Sequence, residues 1–356
     1  MVGLDAALPL PWLQEPLARA LAMRSHALLL QGPQGVGQFE LALTLAQAWL
    51  CEAIGQGSEA ARPCGHCASC RLVRAHSHPD LQVLIPEALR ETLGWNAAEG
   101  DEEPGAEKVG KAKPSKEIKV DAVRAVVAFA QTSSARGRCK VALLHPAERM
   151  NAIAANALLK TLEEPAGDAR FVLSCSAPQA LLPTIRSRCQ VMALVVPALA
   201  QALPWLASRG IDEPQVMLAA CGGQPLEVLE WSALGVDAGA WTALPANVAQ
   251  NRPAPFVNWP LPRLIDALQK LCHDMLCRAS GMPPRFFPAE SLPRVAPGVD
   301  ALTGWAGCLA QRVRRAEHPW NVGLAVEALV QEAARVLHSS PSGGRPPRID
   351  SVHSNA

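Results

Sequence analysis

Tyrosine is absent from this chain of 356 residues, and the aromatic residues together make up only 4% of it. Aromatics interleaved with lysine and arginine, the pattern of a surface that stacks on nucleobases, are therefore not found. Charge is scarce as well, with 18% charged residues and a net charge of +1. No global basic field announces a nucleic-acid partner, although a local basic patch stays open. No apolar run approaches the length of a membrane span, so no membrane partner is expected. The N-terminus has no basic region followed by an apolar run, and Pro9 and Pro11 interrupt the apolar character it has. We therefore expect a cytoplasmic protein without a signal peptide. Cysteine is not scarce. Eleven cysteines in a reducing compartment point to thiols and a metal rather than to a disulfide framework.

The length favours two or three domains with ample cores. In the first part of the chain, short apolar runs at His26 to Leu30, Asp80 to Pro86, Lys140 to Leu144, Arg170 to Ser176 and Val191 to Val196 read as strands. Helical patterns at Trp12 to Met23, at Glu40 to Leu50 and at Ala122 to Gln131, the last with Asp121 as its N-cap, lie between them. Buried strands of this kind belong to parallel sheets.

Gln31 to Phe39 joins the first strand to a helix, which is the right context for a phosphate loop. A working loop reads G-x-x-x-x-G-K-[ST]. Gly32 and Gly37 hold the glycine positions, but Gln38 replaces the lysine and Phe39 replaces the magnesium-binding hydroxyl. Gln38 supplies no positive charge and Phe39 ligates no metal. The backbone amides at the helix start remain available to an anion.

Cys51, Cys64, Cys67 and Cys70 follow as C-x12-C-x2-C-x2-C. Two thiolates from one tight turn reach one tetrahedral ion, at Zn–S distances of about 2.3 Å. Cys51 is the fourth ligand on this reading, and His66, His76 and His78 are the alternatives to it. Glu87 to Glu117 reads as a low-complexity mobile surface insertion, acidic around Asp101 to Glu103 and basic at Lys108, Lys111, Lys113 and Lys116. Such charge runs are solvated unless a partner is identified.

From Asn151 the chain reads as a helix in which Ile153, Ala157, Leu158, Thr161 and Leu162 form an apolar stripe, ended by Pro165. The segment N-A-L-L-K-T-L-E-E-P (156–165), a short apolar strand, and then S-R-C (187–189) resemble the clamp-loader subunits of bacterial replicative DNA polymerase, within the AAA+ class. The resemblance is strong over roughly the first two-thirds of the chain and weak over the helical third. It implies an AAA+ P-loop-type parallel sheet with helices on both faces and a four-cysteine zinc-binding insertion. A small helical lid and an all-α C-terminal collar follow.

The resemblance also implies roles for particular positions. The S-R-C arginine, Arg188, would reach ATP held by the neighbouring subunit. Its planar fork suits the charge that develops in phosphoryl transfer. An active relative carries an acidic pair at the edge of the third strand. Here His145 and Pro146 stand there, and Glu148 is out of register. Ser176 falls where the family keeps a polar residue that senses the terminal phosphate, and a strand-end serine capping a turn reads the same way. Active relatives place a lid arginine close to Pro225, which offers no such contact.

The expected domains are 1–197 (α/β, with the zinc module at 51–70 and the insertion at 87–117), 198–244 (lid), 245–338 (collar) and 339–356 (disordered tail). A proline-rich break at Pro245 to Pro262 marks the start of the collar. Three amphipathic helices follow it, at Leu261 to Arg278, Leu302 to Arg315 and Val322 to Leu337.

Degenerate loop, missing acids, absent lid arginine and retained Arg188 imply a non-hydrolysing stator subunit without productive ATP of its own. Its partners would be the gamma/tau motor and delta subunits, with the sliding clamp and primed DNA reached through the complex. The enzymatic activity would be that of the DNA-directed DNA polymerase holoenzyme, a nucleotidyltransferase. An active motor ATPase and a zinc-dependent DNA-binding module are the alternatives.

Overall fold

A computed structural model describes residues 1–53, 63–95, 114–315 and 321–339. Most of the expected insertion, including Asp101 to Glu103, Lys108, Lys111 and Lys113, lies outside the described residues, as does the tail beyond Ser339. The chain divides into two compact units, Met1–Trp205 and a second that begins at Leu206.

The first unit contains a five-stranded parallel sheet of β1 (Ala27–Gln31), β2 (Leu81–Leu84), β3 (Lys140–Leu144), β4 (Ala169–Cys175) and β5 (Gln190–Ala193). Their spatial order is β2-β3-β4-β1-β5. Every neighbouring pair is parallel, with Leu28 opposite Val172 on one side and Gln190 on the other. Each parallel connection needs a crossover, and the helices provide it. The helices are α1 (Gln14–Ala22), α2 (Gln38–Leu50), α3 (Ala68–Arg74), α4 (Glu87–Arg90), α5 (Val120–Ala130), α6 (Ala152–Glu163) and α7 (Pro183–Arg186).

Central strands β1 and β4 are buried on both faces, which is why they read as continuous apolar runs. Alternate residues Ala27, Leu29, Phe171 and Leu173 share a core with Val123 and Val126 of α5 and Leu158 and Leu162 of α6. On the opposite face α2 packs against β1, β3 and β4, and against α1 and α3.

Three local expectations are corrected. The buried stripe of α6 is Ala154, Ala155, Leu158, Thr161 and Leu162, whereas Ile153 is 67% exposed. The helix is rotated so that Ala154, Ala155, Leu158 and Leu162 join the core that Val123 and Val126 of α5 line. Asp121 does not cap α5. The helix starts two residues earlier, at Val120 after Lys119, and Asp121 lies in its first turn, paired with Arg124. Pro245 does not begin a linker, since it lies inside a helix of the second unit.

That unit is helical, with α9 (Pro214–Ala220), α10 (Pro225–Ala233), α11 (Ala238–Ala249), α12 (Leu261–Ala279), α13 (Val299–Arg315) and α14 (Val322–Leu337). The boundary between the units falls within α8 (Leu199–Ser208). Trp241 of α11 meets Trp231 of α10 edge-on at 5.3 Å and stacks on Phe287 at 4.4 Å. This packing holds α11 helical through Pro245, against its propensity. The residues expected as lid and as collar thus share one aromatic core. No helix among the described residues is long and apolar enough to cross a membrane.

Candidate functional site

The loop between β1 and α2 is closed by its own side chain. Gly32 runs so near β5 that an added Cβ would lie 2.7 Å from the Leu194 carbonyl oxygen, so only glycine fits. Gln38 opens α2 and is buried. Its Nε2 donates to the Gly32 carbonyl at 2.7 Å and to the Pro33 carbonyl. The carboxamide is committed to the loop backbone and brings no charge. Phe39 lies beside His145 with ring centroids 4.9 Å apart, and Trp95 meets it edge-on at 6.4 Å.

His145 follows β3, with Nδ1 2.7 Å from the Ser174 hydroxyl. Burial pushes this imidazole down to about 4, against an opposing pull from the Glu148 carboxylate. The ring is therefore neutral at pH 7. Where a working site holds an ammonium, a hydroxyl and carboxylates, this one holds a carboxamide, a phenyl ring and a neutral imidazole.

Glu148 was out of register by spacing, and the fold brings it to the strand edge. The 3-10 turn Ala147–Arg149 swings its carboxylate to the end of β4. There Oε1 accepts from the Ser176 amide at 2.9 Å, the Ser176 hydroxyl at 2.8 Å and the Ala177 amide at 3.2 Å. Ser176 is thus engaged by Glu148. The signal in the sequence was an acid within one turn of a strand end, too common to single out.

Arg188 follows the short helix α7. Its Nε donates to Glu163 Oε1 at 2.6 Å, and Nη2 donates to the same oxygen. Nη1 donates to the Thr184 carbonyl at 2.9 Å. Glu163 is the last residue of α6, so the L-E-E-P and S-R-C segments meet in one ion pair. The Arg188 side chain is 29% exposed. The fork is oriented yet reachable, and an exposed pair of this kind contributes at most about 1 kcal/mol to stability. Pro225 lies in the second unit, as the first residue of α10.

The four cysteines converge. Cys51 ends α2, Cys67 caps α3 and Cys70 lies in its first turn. All four Sγ atoms lie within 4.8 Å of one another, with Cys51 and Cys67 at 4.0 Å and Cys64 and Cys70 at 3.9 Å. A tetrahedral ion with Zn–S of about 2.3 Å sets sulfurs about 3.8 Å apart, so the cluster fits zinc. The amides of Cys67 and Cys70 donate to Cys64 Sγ at 3.4 Å and Cys67 Sγ at 3.3 Å. Gly65 takes φ +77, and a Cβ there would strike the Gly3 carbonyl at 2.0 Å.

Burial raises the Cys51 and Cys70 thiols. Burial acts upward on Cys64 too, but hydrogen bonds from the Cys67 and His66 backbone and from Cys51 and Cys67 bring it down to about 6. The three histidines are occupied elsewhere. His66 bonds the Cys64 carbonyl at 2.8 Å, His76 stacks on Trp95 at 3.7 Å, and His78 bonds Ser69 at 3.1 Å.

A polar network that the sequence did not reveal ties this module to the sheet. Arg136 Nε donates to Glu52 at 2.9 Å and to Ser69 at 3.2 Å. The buried Asp80 accepts from the Ala135 and Arg136 amides at 2.7 and 2.9 Å and pairs with Lys140 at 3.2 Å. Burial alone would raise Asp80, but these bonds outweigh it and hold the carboxyl below its ordinary value.

A parallel sheet covered on both faces, with a glycine loop running from its central strand into a helix, defines the class as AAA+ P-loop-type, here with Gln38, Phe39 and His145 around the loop. The family model for DNA polymerase III, delta subunit, matches residues 15–197. DNA polymerase III subunit delta' of Pseudomonas aeruginosa is 40% identical over 233 residues, which cover 64% of this chain and 62% of that protein. The Escherichia coli protein of the same name is 31% identical over 283 residues, covering 73% of this chain and 76% of its own length. The tau subunit of the same polymerase in E. coli is 34% identical over 164 residues, 46% of this chain and 20% of that protein. The match to the Pseudomonas relative thus spans less than two-thirds of that protein. The chain belongs to the DNA polymerase III subunit delta' family.

Proposed function

We propose that this chain is the non-hydrolysing stator of a bacterial clamp loader, supplying Arg188 to ATP bound on a neighbouring motor subunit. One observation carries this reading. The chain's own loop is closed by Gln38 and backed by Phe39 and neutral His145, while Arg188 stands oriented at the surface against Glu163. In the assembly a phosphate oxygen competes with Glu163 for the fork, and the guanidinium meets charge developing on the transferred group. ATP binding by the motors opens the sliding clamp, and hydrolysis releases it onto primed DNA. Gamma/tau and delta subunits are the partners on this reading. The zinc is structural, because four protein ligands leave no open position. Residues 198–244 act as lid and 245–338 as collar, the two being continuous through α11 and joined by the Trp241–Phe287 stack.

The test is ATP turnover by the reconstituted loader. A trans-acting arginine contributes on the order of 10³–10⁵ in rate at a single site, and with several sites sharing the work a loss of about tenfold is expected for Arg188→Ala. Fold and zinc content stay unchanged. Normal turnover by that variant would remove the role. Similarity to the tau subunit favours the motor reading instead, and brisk hydrolysis by the isolated chain would establish it. Salt-dependent binding of the isolated chain to primed DNA would favour the DNA-binding module.

A further inference from the structure

We propose that His273, Asp274 and Cys277, in the second unit, form a further metal site for a zinc-class divalent ion. The site would pin the C-terminal half of α12 to the segment Arg285–Phe287. One donor atom from each residue lies within 4.8 Å of the other two. His273 Nδ1 is 3.0 Å from Asp274 Oδ1 and 3.7 Å from Cys277 Sγ. Donors held at about 2.0–2.3 Å from one ion stand about 3–4 Å apart, which these separations match. His273 and Cys277 are neighbours because residues four apart share a helix face.

Two further observations point to an ion. The Asp274 carboxylate is fully buried, and its one ionisable partner within salt-bridge distance among the described residues is the half-exposed His273 ring. A fully buried carboxylate whose one ionisable partner is an imidazole is a position that a divalent cation would neutralise. The carboxylate is also held from behind, as metal-binding carboxylates are. The Arg285 amide donates to Oδ1 at 2.9 Å, and the Phe286 and Phe287 amides donate to Oδ2 at 2.8 Å each. The Phe286 ring meets the His273 ring edge-on at 5.2 Å.

A thiol nucleophile with a histidine base does not fit this arrangement. It needs thiol and carboxylate at opposite ring nitrogens, whereas here both lie nearest Nδ1. One nitrogen, one oxygen and one sulfur suit zinc-class ions better than magnesium or calcium. Three protein ligands leave a fourth position to water, on the side where His273 and Cys277 reach solvent.

The experiment is alkylation of the full chain with iodoacetamide, read by peptide mass spectrometry, with and without added zinc. Cys308 is exposed and serves as the internal control. Zinc should slow labelling of Cys277 by about tenfold or more, because a metal-bound thiolate is not free to react, and leave Cys308 unchanged. In His273→Ala, and in the shape-retaining His273→Gln, the protection should vanish and metal content should fall by one equivalent. Equal labelling of Cys277 with and without zinc would overturn the site. Protection or a metal content that survives both histidine variants unchanged would do the same.

Discussion

At position 38 a carboxamide stands where an ammonium would, and the difference reaches beyond charge. Gln38 folds back, and its Nε2 closes the loop by donating to the Gly32 and Pro33 carbonyls. Restoring one residue should therefore not restore the site. Gln38→Lys is expected to leave ATP binding undetectable by fluorescent-nucleotide titration, since Phe39 and His145 still fill the metal side. Micromolar binding by that variant would contradict this account. His145 carries a second prediction. Its folded value of about 4 lies below the ordinary 6.5, so the neutral ring stabilises the fold fully above pH 6.5. That contribution is lost as pH falls from 6.5 towards 4, because the unfolded chain takes up the proton first. Denaturant melts should show a loss of about 1.4 kcal/mol per pH unit in that window, absent from His145→Gln. The residue substitutions were legible in the sequence because a phosphate loop has an invariant grammar. The conformation of Gln38 was not legible, because nothing in its spacing says which carbonyls it will reach.

At the scale of elements, the four-cysteine module is the clearest case of local sequence deciding local structure. Cys64, Cys67 and Cys70 lie close in the chain, so spacing alone placed them in one turn. That Cys51 and not a histidine joins them depends on where α2 ends, and the three histidines are drawn away by Ser69, Trp95 and a backbone carbonyl. Cys64→Ser should lose the knuckle metal by elemental analysis and lower the melting temperature, since binding energy at such a site is folding energy. Arg136→Ala should keep the metal and still lower the melting temperature, because it cuts only the tie from Glu52 and Ser69 to the sheet. A metal content reduced by Arg136→Ala would show that the tie and the cluster are one unit. The helices were less legible. Ile153 turned outward, and α11 ran on through Pro245, because burial against particular neighbours outweighed local preference.

For the whole molecule, the proposed role depends on a second chain, and the prediction belongs there. Arg188→Lys should be nearly as slow as Arg188→Ala in the reconstituted loader, because one ammonium cannot both keep its carbonyl contacts and present a planar fork. Full activity of the lysine variant would mean that charge alone suffices at this position. By itself the sequence determined which residue types stand in the glycine loop, at the strand edge and in the S-R-C turn. Phosphate loop, cysteine spacing and S-R-C are contiguous motifs, and each carries its chemistry within a few residues. Only the tertiary structure decided the partners of those groups. It set Glu163 against Arg188, Glu148 against Ser176, and Asp274 beside His273 and the amides of Arg285–Phe287. Apart from His273 beside Asp274, these pairings join residues far apart in the chain, and the packing of helices on the sheet and on one another brings them together.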